Sequence, residues 1–149
     1  MDDLTDAVER QFQSFVDTHG FLSRLGVELE AVTPGQAVLR VPYDETLTNP
    51  ERNGTASVHG GVASTLVDTA SAFALRTTFD DPEAAQLATI DLTVSYLRPA
   101  TGDLRATADV TRAGRTVGVT DVVVESETPD GTVEPVASGM TNYRLFRDG

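Results

Sequence analysis

A chain of 149 residues carries 23 acidic against 11 basic side chains, every basic one an arginine, for a formal net charge of −12. Such a surface repels nucleic acid, whose binding depends on Lys and Arg neutralising phosphates, so no nucleic-acid partner is expected. The absence of cysteine excludes disulfides, thiolate metal sites and a cysteine nucleophile, and no stretch approaches the ~18 apolar residues of a membrane span.

In chain order, the acidic start Met1-Asp2-Asp3-Leu4-Thr5-Asp6 lacks the apolar core of a targeting segment, which with the missing cysteines points to the cytoplasm. Leu4, Val8, Phe12, Phe15 and Val16 recur at spacings of three and four, predicting a short amphipathic helix that closes near Gly20. Val27, Leu29 and Ala31 alternate with polar residues, and Pro34-Gly35 suits the centre of a type II turn. Ala37, Leu39 and Val41 then resume the alternation, so a hairpin is expected. Asp44 to Ser57, with Asn49-Pro50 and Asn53-Gly54, is a loop long enough to be functional.

From Val62 to about Thr77 apolar residues fall on nearly every face of a helical run, which therefore reads as buried. Phe79-Asp80-Asp81-Pro82 breaks it, and Leu87 to Leu97 alternates. Ile90, Leu92, Val94 and Tyr96 fall on one face, with Thr89, Asp91, Thr93 and Ser95 on the other. Two further strands, Leu104 to Thr111 and Thr116 to Ser126, meet at Ala113-Gly114-Arg115. Pro129-Asp130-Gly131 turns into a last strand from Val133 to about Phe146. With no linker or repeat, the expectation is one α+β domain over residues 1–149. It comprises an N-terminal helix (1–20), a long buried central helix (60–78) and an antiparallel sheet of about six strands wrapped around it.

The chemistry concentrates in Asn53-Gly54-Thr55-Ala56-Ser57-Val58-His59-Gly60-Gly61 and the helix that follows. Glycines at a helix start leave N–H groups uncovered where the macrodipole favours negative charge, so a developing oxyanion could sit there. Two turns further on, Asp68 interrupts the apolar run, and a carboxylate among Leu66, Val67 and Ala70 needs a reason. Each residue also has an ordinary role available. Asp68 can be solvated, His59 can cap the helix, Gly60-Gly61 can be a tight entry, and Asn53-Gly54 can be a plain turn.

Their order and spacing carry a resemblance. Asn53, His59-Gly60-Gly61 and Asp68, followed by Thr89-Ile90-Asp91-Leu92-Thr93-Val94-Ser95-Tyr96-Leu97-Arg98-Pro99-Ala100, look like the hotdog-fold acyl-CoA thioesterases of the PaaI-like type. The similarity runs from about Leu25 to Leu145. It implies a hotdog, homodimers with active sites at the subunit interface, often two dimers to a tetramer, and an acyl-CoA substrate. Asn53, His59 and Gly60 of one subunit would then face Asp68 and Thr89 of the other, and a monomer would be inactive.

Residue chemistry runs alongside. With no Cys, no Gly-x-Ser-x-Gly elbow and no His cluster of metal-ligand spacing, water or a carboxylate must attack the thioester, and no cofactor is called for. The expected roles are Asp68 as general base or nucleophile, the Gly60 N–H and Asn53 amide on the carbonyl oxygen, and Thr89 orienting water. His59 would fix the loop or help polarise the carbonyl. Coenzyme A is anionic, so an acidic protein needs a local basic patch. Arg98 and Arg115, with Arg76 behind them, are the candidates beside Gly61 at the helix start. Two other classes use the same residues: a non-catalytic acyl-CoA-binding module, and a hotdog dehydratase or hydratase working through a carboxylate and His59.

Surplus Asp and Glu, absent Lys and abundant Ala, Thr and Val resemble the proteins of salt-accumulating halophiles, where ionic strength screens self-repulsion. The thermal unfolding midpoint should therefore rise between low and molar KCl. A midpoint indifferent to salt contradicts this reading.

Overall fold

The computed structural model describes residues 2–147. Its element order is α1 (Asp2–Thr18), α2 (Gly20–Leu25), β1 (Glu28–Thr33), β2 (Gln36–Val41), α3 (Gly60–Arg76), β3 (Gln86–Tyr96), β4 (Leu104–Ala113), β5 (Val117–Glu127) and β6 (Val133–Phe146). The six strands form one antiparallel sheet in the order β1-β2-β4-β5-β6-β3. No helix among the described residues is long and apolar enough to cross a membrane.

The sheet curls around α3 because that helix is apolar on most of its circumference. Val62, Ala63, Leu66, Val67, Ala70, Phe73, Ala74 and Leu75 are all buried; the first seven meet Leu39, Ala106, Val122, Val124 and Ala137 from the strands, and Leu75 packs with Tyr143 and Leu145. Each such side chain contributes about 1.5–3 kcal/mol if large and proportionately less if alanine. One polar seam crosses this core. The Ser71 hydroxyl bonds Thr120 at 2.7 Å, and Thr120 bonds Thr141 at 2.6 Å. Every buried side-chain donor and acceptor among the described residues is satisfied, as buried polar groups must be to avoid the desolvation penalty.

Three local features depart from the sequence reading. The N-terminal helix breaks at Thr18, and a second short helix, α2, follows with His19 as its cap. Val8, Phe12 and Val16 do pack inward, Phe15 stays 47% exposed, and the side chain of Leu4 lies outside the described residues. In β1 a bulge at Glu30 shifts the register, so Leu29 pairs with Leu39 but Ala31 with Val38. Ala31 thereby turns outward and Val32, not Ala31, enters the core.

The third departure matters most. In β3 the register slips between Thr89 and Asp91: Thr89 pairs with Tyr143, Asp91 with Asn142, and Ile90 is the extra residue. A bulge of one residue inverts the alternation. Thr89 therefore lies on the same face as Leu92, Val94 and Tyr96, the face toward α3, and not opposite them as strict alternation predicts.

β3 and α3 approach closely over β6. A Cβ built on Gly139 would meet Val67 Cγ1 at 2.8 Å and the Thr93 carbonyl oxygen at 3.0 Å. Backbone cannot yield as a side-chain tip can, so Gly139→Ala should destabilise the fold by about 1–3 kcal/mol in denaturant unfolding. A smaller change would mean that the sheet gives way there freely.

Candidate active site

The approach to α3 is built by a tight hairpin. Arg52 and Thr55 exchange backbone hydrogen bonds of 2.9 and 3.0 Å, with Asn53 at φ 55 and Gly54 at φ 76 between them. Two successive left-handed residues define a type I′ turn, for which Asn-Gly is the preferred pair. Asn53 is thus at an exposed tip, apart from the cavity linings described below. The strand-like return is anchored by Asn49 N–H to Ser57 and Val58 N–H to Ala100, and it brings His59 to the helix start.

His59 is the N-cap. Its Nδ1 accepts from the Gly61 N–H at 2.8 Å, and its own N–H donates to the Leu47 carbonyl at 2.8 Å. The ring nitrogen is thereby used as an acceptor, which satisfies one of the orphan donors of the first turn. The fold of the ring explains Gly61, because a Cβ there would lie 2.9 Å from Nδ1. Gly61's N–H is committed to His59, and a ligand could reach it only by displacing that bond. Gly60 has a different reason. Tyr96 lies over it, 2.9 Å from where a Cβ would stand, and donates its hydroxyl to the Gly60 carbonyl at 2.9 Å while bonding Ser64. The Gly60 N–H donates to no acceptor among the described residues. His59, Gly60, Tyr96 and Arg98 line one open cavity of about 400 Å³, and Arg98 Nη1 donates to the Pro135 carbonyl at 2.7 Å.

Asp68 lies in another cavity, of about 410 Å³, with Phe15, Phe21, Phe73, Leu92 and Tyr143 among its walls. The Thr89 hydroxyl donates to Asp68 Oδ1 at 2.7 Å. Tyr143 donates to the same oxygen and lies 2.7 Å from the Asp68 carbonyl as well. Tyr143 is only 3% exposed. Burial first, then the contact with Asp68, pushes its hydroxyl well above the ordinary tyrosine range, so it stays a neutral donor. With Oδ1 held by two hydroxyls, Oδ2 has no described partner and is the atom available for chemistry.

The sites predicted from sequence therefore assemble in part. Asp68 with Thr89 forms one group, and His59 with Gly60 and Arg98 another, eight residues and about 12 Å apart along α3. Arg115 belongs to neither, lining a third cavity with Phe79, Asp80 and Arg147. Tyr143 was missed, because a tyrosine in a terminal strand carries no local mark of the residue that it meets 75 positions earlier. Phe15 and Phe73 line the Asp68 cavity, and Phe12 stacks behind Phe73 at 4.6 Å.

A single antiparallel sheet curled about one long helix defines the hotdog class of α+β domains. The comparisons then specify the family. Residues 56–132 match the Thioesterase superfamily model. A Halobacterium salinarum protein whose name assigns it provisionally to the esterases is 52% identical, over 91% of each chain. The acyl-coenzyme A thioesterase PaaI of Escherichia coli is 32% identical over 69% of each. A Silicibacter pomeroyi thioesterase family protein superposes with a TM-score of 0.80 at 23% identity, covering 95% of this chain and 99% of that one, which speaks for the fold. The chain belongs to the thioesterase superfamily, in its PaaI-like branch, and is a thioester hydrolase.

Removing one charge-assisted donor from Asp68 tests the role of Tyr143. Tyr143→Phe should lower kcat by about 10- to 100-fold with little change in KM, the size of a hydrogen bond to a charged group. A rate within twofold of the parent would show that Thr89 suffices.

Proposed function

We propose that the protein hydrolyses acyl-CoA thioesters to a free acid and coenzyme A, at sites completed across a homodimer. The observation that carries the reading is the Asp68 carboxylate, pinned through Oδ1 by Thr89 and Tyr143 and open at Oδ2 to an aromatic-walled cavity. A carboxylate fixed in orientation on a buried helix is suited to attack or to proton abstraction, because little reorganisation is needed.

Support for the dimer comes from β3. It is an edge strand of 11 residues with a single neighbour, and Ile90 at 56% and Tyr96 at 57% exposure leave apolar surface uncovered. Long apolar edges invite pairing with another chain. Antiparallel pairing of two β3 strands about a two-fold axis would set the Thr89 end of one against the Tyr96 end of the other. Asp68 of one subunit would then oppose Gly60 of its partner, which is how two half-sites about 12 Å apart within one chain become one pocket.

In that pocket the free Gly60 N–H, aided by the helix start, would hold the thioester oxygen, and the Asn53 amide would add a second donor where the 48–58 hairpin meets the other subunit. As general base, Asp68 takes a proton from water while the hydroxide adds to the carbonyl carbon. The tetrahedral oxyanion then collapses, the C–S bond breaks, and the proton passes to the departing thiolate. As nucleophile, Oδ2 would add to the carbon directly, and collapse of the adduct would break the C–S bond, expel the coenzyme A thiolate and leave a mixed anhydride. Water would later cleave that anhydride to the free acid, restoring the Asp68 carboxylate and supplying the proton that the thiolate takes up. Arg98 at the mouth and Arg115 beside the third cavity are the cations for the phosphates of coenzyme A. Dimers would pair further into a tetramer in a cytoplasmic protein of a saline cell. His59, committed through Nδ1 to the Gly61 N–H, lends no support to a dehydratase, which would need that ring as acid or base.

Free-thiol release from aromatic and aliphatic acyl-CoAs at molar KCl tests the assignment. Asp68→Asn should lose about 100-fold or more in kcat at unchanged dimer mass. Release that survives the substitution removes Asp68 from the mechanism, and binding without release by the parent points to a sensor.

A further inference from the structure

Arg76 sits in the last turn of α3 in a protein with twice as many acids as bases, yet it takes no carboxylate within 4.0 Å among the described residues. Its Nη1 donates to the carbonyls of Pro82 at 3.2 Å and Ala85 at 3.0 Å. The Phe15 ring lies 5.8 Å from its Cζ. Nε and Nη2 have no acceptor among the described residues. Glu83 lines the groove on the outer side of Arg76 without forming an ion pair with it. The guanidinium is half-buried, and desolvation lowers its pKa from the ordinary arginine value, although arginine keeps its charge in any protein environment.

This cation is a wall of the cavity that holds Asp68. Asp68, Ala72 and Arg76 follow at intervals of four and share one face of the helix. Eight residues at 1.5 Å each separate their backbones by about 12 Å. Between them the surface is mainly apolar, from Phe15, Phe21, Leu22, Ala72 and Phe73, with His19 and Thr69 also on the wall. The cavity is thus a mainly apolar passage with the reacting carboxylate at one end and a cation with two free donor positions at the other. Holding the 82–85 carbonyls and complementing the helix C-terminus account for Nη1 and for the charge. They leave Nε and Nη2 unused.

We propose that Arg76 is a specificity-determining residue that receives the far end of the acyl group, and that the preferred substrates are acyl-CoA thioesters whose acyl chain ends in a carboxylate. The inference rests on the reading of Asp68 as the reacting group. A guanidinium pairs with carboxylate through parallel N–H donors. In an otherwise repelling protein, such a local cation is what an anionic tail requires. A partly buried pair of this kind survives salt better than an exposed one.

The experiment measures kcat/KM at molar KCl for matched thioesters, adipyl-CoA against hexanoyl-CoA and suberyl-CoA against octanoyl-CoA, in the parent and in Arg76→Met. The parent should favour one or both diacid thioesters. The variant should lose about 10- to 100-fold on the favoured one, chiefly through KM, and less than about twofold on its neutral partner. Arg76→Gln, which retains a donor for the 82–85 carbonyls, keeps the comparison decisive if the methionine variant does not fold. An equal loss on both members of a pair would assign Arg76 to the loop alone and overturn the inference. So would a parent that hydrolyses the neutral thioesters better and keeps the same ratio in the variant. A parent that cleaves none of the four but releases thiol from an aromatic acyl-CoA overturns the inference alone, and one that cleaves neither kind overturns the reading beneath it as well.

Discussion

Wrapping one sheet around a 17-residue helix is the constraint on which the other features depend. Burial of α3 puts eight apolar side chains in the interior, and it rules out polar groups on the buried face except where a partner waits. Ser71 meets Thr120. Asp68 meets Thr89 and Tyr143 at the rim, where β3 and β6 pass. A carboxylate that must be hydrogen-bonded to be tolerated is also a carboxylate held in place. The same contacts that make the residue admissible to the fold orient it for chemistry.

At the other end of the helix the constraint is close approach. Tyr96 covers Gly60 and the His59 ring folds onto Gly61, so that neither glycine could carry a side chain without displacing an aromatic ring. The two glycines have different reasons, one set by a residue 36 positions away and one by its own neighbour. Their joint result is a first turn in which one N–H is capped and another remains open.

Charge is arranged on a coarser scale. Arg40 pairs with Glu28 and Asp103, and Arg105 with Glu30, all open to solvent on or beside the strands, where each pair contributes little. Asp103 is held below the usual carboxylate range first by the Tyr43 N–H and then by Arg40. Other arginines turn to backbone or aromatic partners: Arg147 lies over Phe79, and Arg144 over Phe146. Lysine could not substitute for them equally, since a planar guanidinium both stacks and donates in several directions.

Periodicity, turn chemistry and composition were enough to place the buried helix, the six strands, the Asn53-Gly54 turn and the His59-Gly60-Gly61 entry, because each is a property of residues close together in the chain. The spacing of those residues also disclosed the family. Long-range placement was a different matter. Which face Thr89 presents depends on a one-residue bulge at Ile90, and alternation in β3 alone gives the opposite answer. Tyr143 reaches Asp68 only through the pairing of β6 with β3. The separation of Asp68 from Gly60 into two cavities likewise follows from the length of a helix, and the isolation of Arg76 from acids follows from how the loop after it folds back. Local sequence determined the elements and the residue types available for catalysis. Strand register and close packing decided which side chains meet, because a shift of one residue in a strand reverses every face beyond it.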